Sequence, residues 1–310
     1  MSDHHSTSTI STDQQTNPRN RSTLRKNLFL CSAEGIVAMP IVYLTLPGNF
    51  IIAMLLTQVF HLSDSTFGVI VSLPAWCNVA QLILIPFLAK LWSQKTITLI
   101  FSWLHLLVWS ALATTLPFIP ENNVKAAGQI LFILFLFSSL LQALVGVSWT
   151  SWIQEWIPGR IRGKFFGNRN RILQVSTVLF ILGTTLCLSF YEENNPILGF
   201  QIIIYGSVLL RIISIFSQQK ILSTSEQSNI EAAHNLKAQI RFILQNKPLK
   251  CFFLFGALFG FAVNFLGPFF SVFLYEVINL GVHDIAIYTI VASIAGAVSL
   301  PAWGRLLDKY

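Results

Sequence analysis

Long apolar blocks alternate with short polar connections along the chain. The blocks lie at 28–58, 67–89, 96–118, 127–149, 172–190, 196–217, 249–275 and 284–303. Each approaches or exceeds the roughly 20 residues that an α-helix needs to cross a hydrocarbon core about 30 Å thick. The pattern therefore predicts an all-α membrane protein with about eight transmembrane helices. The first block is long for one crossing, and Pro40, Pro47 and Gly48 predict a kink in it.

Composition supports a membrane protein over a soluble one. Of the 310 residues, 54% are hydrophobic and 11% are charged, whereas a soluble domain of this length needs more charge on its surface. The polar start of the chain holds no apolar run of the kind found in signal peptides. We therefore expect residues 1–27 to form a disordered cytoplasmic tail.

The positive charges follow the topology of the predicted helices. Of the 20 Lys and Arg residues, 18 lie on one side of the predicted bundle: in the tail, in or at the edge of alternate connections, or after the last block. The exceptions are Lys125 and Arg211. Because cytoplasmic loops are enriched in Lys and Arg, this side is predicted to be cytoplasmic, with both termini on it, in the plasma or inner membrane. The net charge of +7 is thereby explained without a nucleic-acid partner.

The longest connection divides the chain into two unequal parts. Residues 218–248 are polar, and apolar residues recur at helical spacing from Ile230 to Leu244, which predicts an amphipathic helix on the inner membrane face. We expect a six-helix N-terminal lobe at 28–217, a cytoplasmic linker at 218–248, and a partial C-terminal lobe of two helices at 249–310.

Two segments near helix ends resemble each other. IPFLAKLWSQK (85–95) aligns without gaps to LPAWGRLLDKY (300–310). The alignment pairs Pro86 with Pro301, Ala89 with Gly304, Lys90 with Arg305, and Leu91 with Leu306. Such a parallel repeat is typical of transporters that are built from two related halves.

Three loop motifs resemble those of the major facilitator superfamily. Gly304, Arg305 and Asp308 match the signature G-x-L-x-D-R/K-aromatic-G, of which 85–95 is a degenerate copy. The stretch EWIPGRIRGKFFGNRNR (155–171) resembles the family motif P-x-x-x-R-G-x-x-x-G. Its matching residues are Pro158, Arg162, Gly163 and Gly167. The resemblance implies a helical bundle of two lobes that carries a small organic solute by alternating access.

The residues of 155–171 suggest a tight cytoplasmic turn that also acts as a conformational latch. Pro158, Gly163 and Gly167 are expected to shape the reversal of the chain, and Glu155 is the acid available to pair with the neighbouring bases. The basic residues are expected to hold the stretch at anionic head groups.

The chain departs from the family pattern in two ways. In the first copy of the signature, Ala89 replaces the glycine and Ser93 replaces the aspartate. The sequence also stops at Tyr310, inside the second copy, where family members continue through four more helices. We therefore expect a C-terminally truncated transporter, which would be inactive alone if it is truncated. The alternative is a non-transporting membrane remnant or a partner subunit.

Polar residues inside the apolar blocks are the candidate site. Asn49, Asn78, Gln81, His105, Gln142 and Asn264 are expected either to line a solute cavity or to make hydrogen bonds between helices. Glu34 and Arg211 are the candidate coupling or ion-pair residues. Glu34 is otherwise expected to snorkel or to pair with Arg25 or Lys26, and Arg211 to snorkel to the inner face. With no deep acid–base pair evident, the sequence favours a neutral or amphipathic solute.

Motifs of enzymes and of cofactor sites are missing from the sequence. No phosphate loop, H-E-x-x-H or G-x-S-x-G occurs, and the histidines are scattered. We expect no enzyme activity, no metal and no cofactor. The expected partners are the lipid bilayer, a small-molecule solute, and protons or another coupling ion.

The topology makes a direct prediction for reporter fusions. A reporter fused at Glu192 is expected to lie outside the cytoplasm, and one fused at Lys237 is expected to lie inside it, since one crossing separates them. Paired alkaline phosphatase and fluorescent protein fusions measure this. Fusions that report the same side at both positions contradict the model of eight crossings.

Overall fold

The computed structural model describes residues 18–120, 123–191, 195–222, 241–242 and 244–309. Within them are nine α-helices with assigned bounds, a π-helical turn at Leu55–Val59 that continues α2, and a 3₁₀ turn at Leu116–Phe118 that follows α4. Side chains are described from 21 to 299 within these ranges. The helices are α1 (Pro18–Leu44), α2 (Phe50–Met54), α3 (Asp64–Leu91), α4 (Gln94–Thr115), α5 (Val124–Trp156), α6 (Gly159–Tyr191), α7 (Pro196–Gln219), α8 (Lys247–Glu276) and α9 (Val282–Lys309).

Eight of these helices are long and apolar enough to cross a membrane, as predicted. The protein is therefore an all-α, multi-pass membrane protein. The amphipathic helix expected within 218–248 lies almost entirely outside the described residues, and so do residues 1–17 of the expected tail.

Two helices begin well before the apolar blocks that identified them. Helix α1 starts at Pro18, inside the expected tail, and α6 starts at Gly159, inside the expected loop. Hydropathy marks the part of a helix that lies in hydrocarbon, whereas the backbone hydrogen bonds continue into the polar layer. The reversal between α5 and α6 is therefore confined to 157–158. Our expectation that Gly163 and Gly167 shape it is wrong, because both lie on the exposed surface of α6.

The first apolar block is broken rather than kinked at Pro47 and Gly48, while Pro40 stays inside α1. Gly48 has a φ of +69°, in the left-handed region that favours glycine. Asn49 then caps α2: its side-chain oxygen accepts from the backbone N–H of Ile52 at 3.0 Å. Its Nδ2 donates to the carbonyls of Leu44 at 3.1 Å and Leu46 at 2.8 Å. One side chain thus satisfies backbone groups on both sides of the break.

The first seven helices pack into one bundle. Helix α5 lies against α3 and α4, while α7 lies against α1, α4 and α6. Large side chains fill the interior, among them Phe60, Phe67, Trp109, Trp152 and Phe200, each less than 2% exposed. Ser63, Ser93, Asn123 and Asn195 cap the starts of α3, α4, α5 and α7. The residue that replaces the signature aspartate, Ser93, therefore caps α4 by accepting from Thr96 N–H.

The last two helices contact the bundle in different ways. Helix α9 packs along α6, and α8 contacts α2 and α3. Ser271 Oγ donates to the carbonyl of Gly48 at 2.9 Å, and the rings of Phe67 and Phe269 meet edge to face with centroids 5.6 Å apart. Most of α8 is otherwise exposed.

Replacement of Gly48 by alanine is expected to destabilise the protein. A Cβ at this position would overlap the backbone of Pro268, and a non-glycine residue with positive φ costs about 1–3 kcal/mol. We expect a lower apparent melting temperature in detergent for Gly48→Ala. The matched control is Gly183→Ala, because a Cβ there meets no atom within 4 Å and the position is helical. Equal melting temperatures for the two variants contradict this account.

Candidate functional site

A buried carboxylate lies where α1, α5, α6 and α7 meet. Glu34 of α1 is 2% exposed. Its Oε1 accepts from Arg169 Nη2 of α6 at 3.1 Å and from Trp149 Nε1 of α5 at 3.2 Å. Its Oε2 accepts from two side chains of α7, Gln218 Nε2 at 2.8 Å and Ser214 Oγ at 3.3 Å. Four donors from three helices therefore hold one carboxylate.

Arg169 is fixed by more than its ion pair with Glu34. Its Nε donates to the carbonyl of Cys31 at 3.1 Å, and its guanidinium lies 4.7 Å from the ring centroid of Trp149. Gly35 makes this approach possible, because a Cβ at that position would overlap the guanidinium. The charge is thus satisfied by a carboxylate, a carbonyl and an aromatic face.

A second arginine lies beside the first. Arg211 of α7 is 4% exposed, with its Nη1 donating to Ser214 Oγ at 3.1 Å and its Nη2 donating to Ser102 Oγ of α4 at 3.0 Å. Ser214 in turn donates to Glu34, so that one hydroxyl links Arg211 to the carboxylate. We call Glu34, Arg169, Arg211, Ser214 and Gln218 the charge cluster.

The charge cluster corrects several sequence-based expectations. Glu34 pairs with Arg169 and not with Arg25 or Lys26, and Arg211 is buried instead of snorkelling. A deep acid–base pair therefore exists, contrary to the premise of our solute preference. We missed Arg169 because we placed it in a loop. Two features of the sequence could have indicated it. A membrane-embedded Glu needs a partner, and Arg169 lies three residues before an apolar block, close enough to reach into the membrane.

Two adjoining cavities lie beside the charge cluster. The smaller, about 190 Å³, is lined by Glu34, Arg169, Arg211 and Gln218. The larger, about 560 Å³, lies between α1, α3 and α5, with Asn78, Gln81 and Gln142 in its lining. Both are lined by Val42, Gln142 and Gly146, and so they are neighbours in space. Three of the six predicted polar residues therefore face the same space.

The other three predicted residues make local or interhelical hydrogen bonds. Asn49 is the cap described above. His105 Nε2 accepts from Trp109 Nε1 at 3.0 Å and lies 3.3 Å from Ser138 Oγ of α5. Asn264 Nδ2 donates to the carbonyl of Gly260 at 2.8 Å on the exposed helix α8. None of the three is among the residues that line the two cavities.

The motif at 155–171 forms a corner between α5 and α6. Arg162 Nη2 donates to the carbonyls of Gln154 at 2.8 Å and Ile157 at 3.0 Å, at the end of α5. A cation there satisfies carbonyls that lack helical partners. Glu155 lies on the exposed side of α5, and Pro158 precedes the first residue of α6. Gly304, Arg305 and Asp308 lie in the last part of α9, beyond the residues whose side chains the structure describes.

An apolar helical bundle with eight spans, and with a cavity that presents amide groups beside buried charges, is typical of a multi-pass membrane protein of the secondary transporter type. The family model of the Major Facilitator Superfamily matches residues 37–310, so the chain belongs to that superfamily. No curated protein and no solved structure matches the chain.

Loss of Arg169 is expected to be far more harmful than loss of its neighbour Arg171. Arg169→Gln leaves Glu34 buried without its ion-pair partner, which typically costs about 3–5 kcal/mol. Arg171 is exposed and bonds Asn168 on its own helix, and so Arg171→Gln should cost less than about 1 kcal/mol. Both variants lose the same charge, and thermal unfolding in detergent compares them.

The double variant Glu34→Gln/Arg169→Gln provides a further check. It removes both charges of the ion pair, so that neither is left buried alone. We expect it to melt at a higher temperature than Arg169→Gln. A double variant that is less stable than Arg169→Gln would contradict the role of the ion pair.

Proposed function

We propose that the protein carries a small organic solute across a membrane by alternating access of two helical lobes. The observation that carries this proposal is the 560 Å³ cavity between α1, α3 and α5. Its volume lies in the range that is usual for small-molecule sites. Amide and hydroxyl groups line it in a bundle that is otherwise strongly apolar.

The lining supplies hydrogen-bonding groups for a solute. Asn78 and Gln81 lie three residues apart on α3, and Gln142 lies on α5. The Gln81 Oε1 atom is buried and has no hydrogen-bond partner within the described residues. An unpaired acceptor in this environment costs free energy, which a solute or a water molecule would recover. We assign these three residues to solute binding.

Contacts of α8 and α9 support the alternating-access part of the proposal. Near the end opposite the basic connections, Ser271 of α8 bonds Gly48, and Ser189 Oγ of α6 lies 2.8 Å from His283 Nε2 of α9. We infer that this conformation is closed at that end and that the solute reaches the cavity from the basic, cytoplasmic end. Breaking these contacts would open the opposite route.

Coupling belongs to the same proposal. The smaller cavity is lined by three buried ionisable residues, Glu34, Arg169 and Arg211. Coupling of solute movement to a gradient of protons or another ion would act through these groups, since ionisable residues inside a membrane mark ion and proton pathways.

Thiol labelling from each side of the membrane tests alternating access without knowledge of the solute. In a background with the four native cysteines replaced by alanine, we expect Gln142→Cys to react with a membrane-impermeant reagent applied from either side of sealed vesicles. The cavity residue must face each side in turn, whereas a static protein exposes it to one side at most.

Leu182→Cys is the matched control, because Leu182 lies on the exposed apolar surface of α6 and is expected to face lipid. It should react from neither side, since thiols need water to ionise and react. Labelling of Gln142→Cys from one side only would favour the alternative, a non-transporting membrane remnant or partner subunit. Absence of labelling from both sides would contradict the cavity itself.

A further inference from the structure

The ionisable residues that line the smaller cavity are one acid and two bases. Glu34 carries one negative charge, while Arg169 and Arg211 each carry a positive one, and all three are less than 10% exposed. The cavity therefore has an excess of one positive charge inside an apolar bundle. An uncompensated buried charge is strongly unfavourable unless a counter-charge joins it. We propose that this cavity binds the carboxylate of an organic monoanion, with Arg211 as its main ligand.

The Glu34 carboxylate does not form direct ion pairs with both Arg169 and Arg211. Both oxygens of Glu34 accept two hydrogen bonds each, from Arg169 and Trp149 on one and from Gln218 and Ser214 on the other. Arg169 takes the direct ion pair at 3.1 Å. Arg211 reaches Glu34 through the hydroxyl of Ser214. Among the described residues, Arg211 therefore makes no direct ion pair.

The hydrogen bonds of Arg211 leave part of its guanidinium unused. Within the described residues they go to two neutral hydroxyls, Ser102 and Ser214, and the buried Nε has no partner. Arginine presents its donors in a planar fork that fits a carboxylate with two parallel bonds. An unpaired Nε beside a cavity therefore favours a planar oxyanion as the group that fills it.

Size and neighbourhood extend the assignment from an ion to an organic anion. A volume of about 190 Å³ is room for a carboxylate and a few attached atoms. The adjoining 560 Å³ cavity, with its apolar walls and its amides, would take the rest of the molecule. A single excess charge matches a monoanion, whereas a dianion would reverse the imbalance. This assignment rests on the proposed solute cavity. Of our preference for a neutral or amphipathic solute, it replaces the neutral option.

Matched pairs of acids and amides test the proposal. Purified protein in detergent is titrated with benzoate and benzamide, and with propanoate and propanamide, which differ mainly in charge. Binding is followed by the apparent melting temperature and by tryptophan fluorescence, because Trp149 contacts both Glu34 and Arg169. We expect each acid to bind at least about tenfold more tightly than its amide, as for hydrogen bonds to charged groups. Equal affinities of acid and amide overturn the anion site while leaving a neutral-solute cavity intact.

Charge variants should shift this preference in opposite directions. Arg211→Gln removes the excess charge and is expected to lose the preference for the acid. Glu34→Gln raises the excess to two and is expected to strengthen acid binding. The control Arg160→Gln removes an exposed charge and should leave binding unchanged. Acid binding that survives in Arg211→Gln overturns the assignment.

Two further outcomes separate this inference from the proposed function. Chloride or sulfate that stabilises the protein as well as benzoate would show a site for inorganic anions and overturn the organic assignment. Absence of binding for all four organic probes, with Gln142→Cys still labelled from both sides, would overturn the anion site but leave alternating access in place. If Arg211→Gln does not fold, the comparison of acid with amide in the native protein decides the matter.

Discussion

The ion pair between Glu34 and Arg169 sets how α1, α5, α6 and α7 meet in the bundle. Neither charge can be buried in an apolar bundle alone, so α1 and α6 must meet at one register. Trp149 brings α5 to the same point, and Gln218 brings α7. Gly35 keeps the space that the guanidinium occupies. The cavities lie against this junction, and their shape therefore depends on it.

Structural and functional roles overlap in the charge cluster. The Ser214 hydroxyl accepts a hydrogen bond from Arg211 and donates one to Glu34. It therefore links the Glu34–Arg169 ion pair to the arginine that has no direct ion pair among the described residues. A counter-ion at Arg211 would therefore be sensed at Glu34 through a single side chain. The opposite end of the bundle is held differently, by the left-handed Gly48 turn and its contact with α8. The charge cluster stabilises one end of the bundle, and the backbone conformation at Gly48 stabilises the other.

Individual residues show how far sequence reasoning reached into the site. Asn78, Gln81 and Gln142 were predicted as candidates from polarity within apolar blocks, and the structure groups them around one cavity. Asn49 and His105 met the same criterion, yet one caps a helix and the other bonds between α4 and α5. Polarity in a membrane span indicates that a partner is needed, but both a backbone carbonyl and a solute satisfy that need. Sequence position alone does not distinguish the two.

The sequence by itself determined the class of protein, the number of crossings and the superfamily, because these follow from hydrophobic length and loop motifs, which are local in the chain. It predicted a kink in the first block, where the structure has a break at Pro47 and Gly48. Only the tertiary structure decided the partner of Glu34, which lies 135 positions away, and the burial of Arg211. Pairing of buried charges depends on which helix faces meet. This pairing is a property of packing between segments that are distant in the chain, and a hydropathy pattern does not predict it.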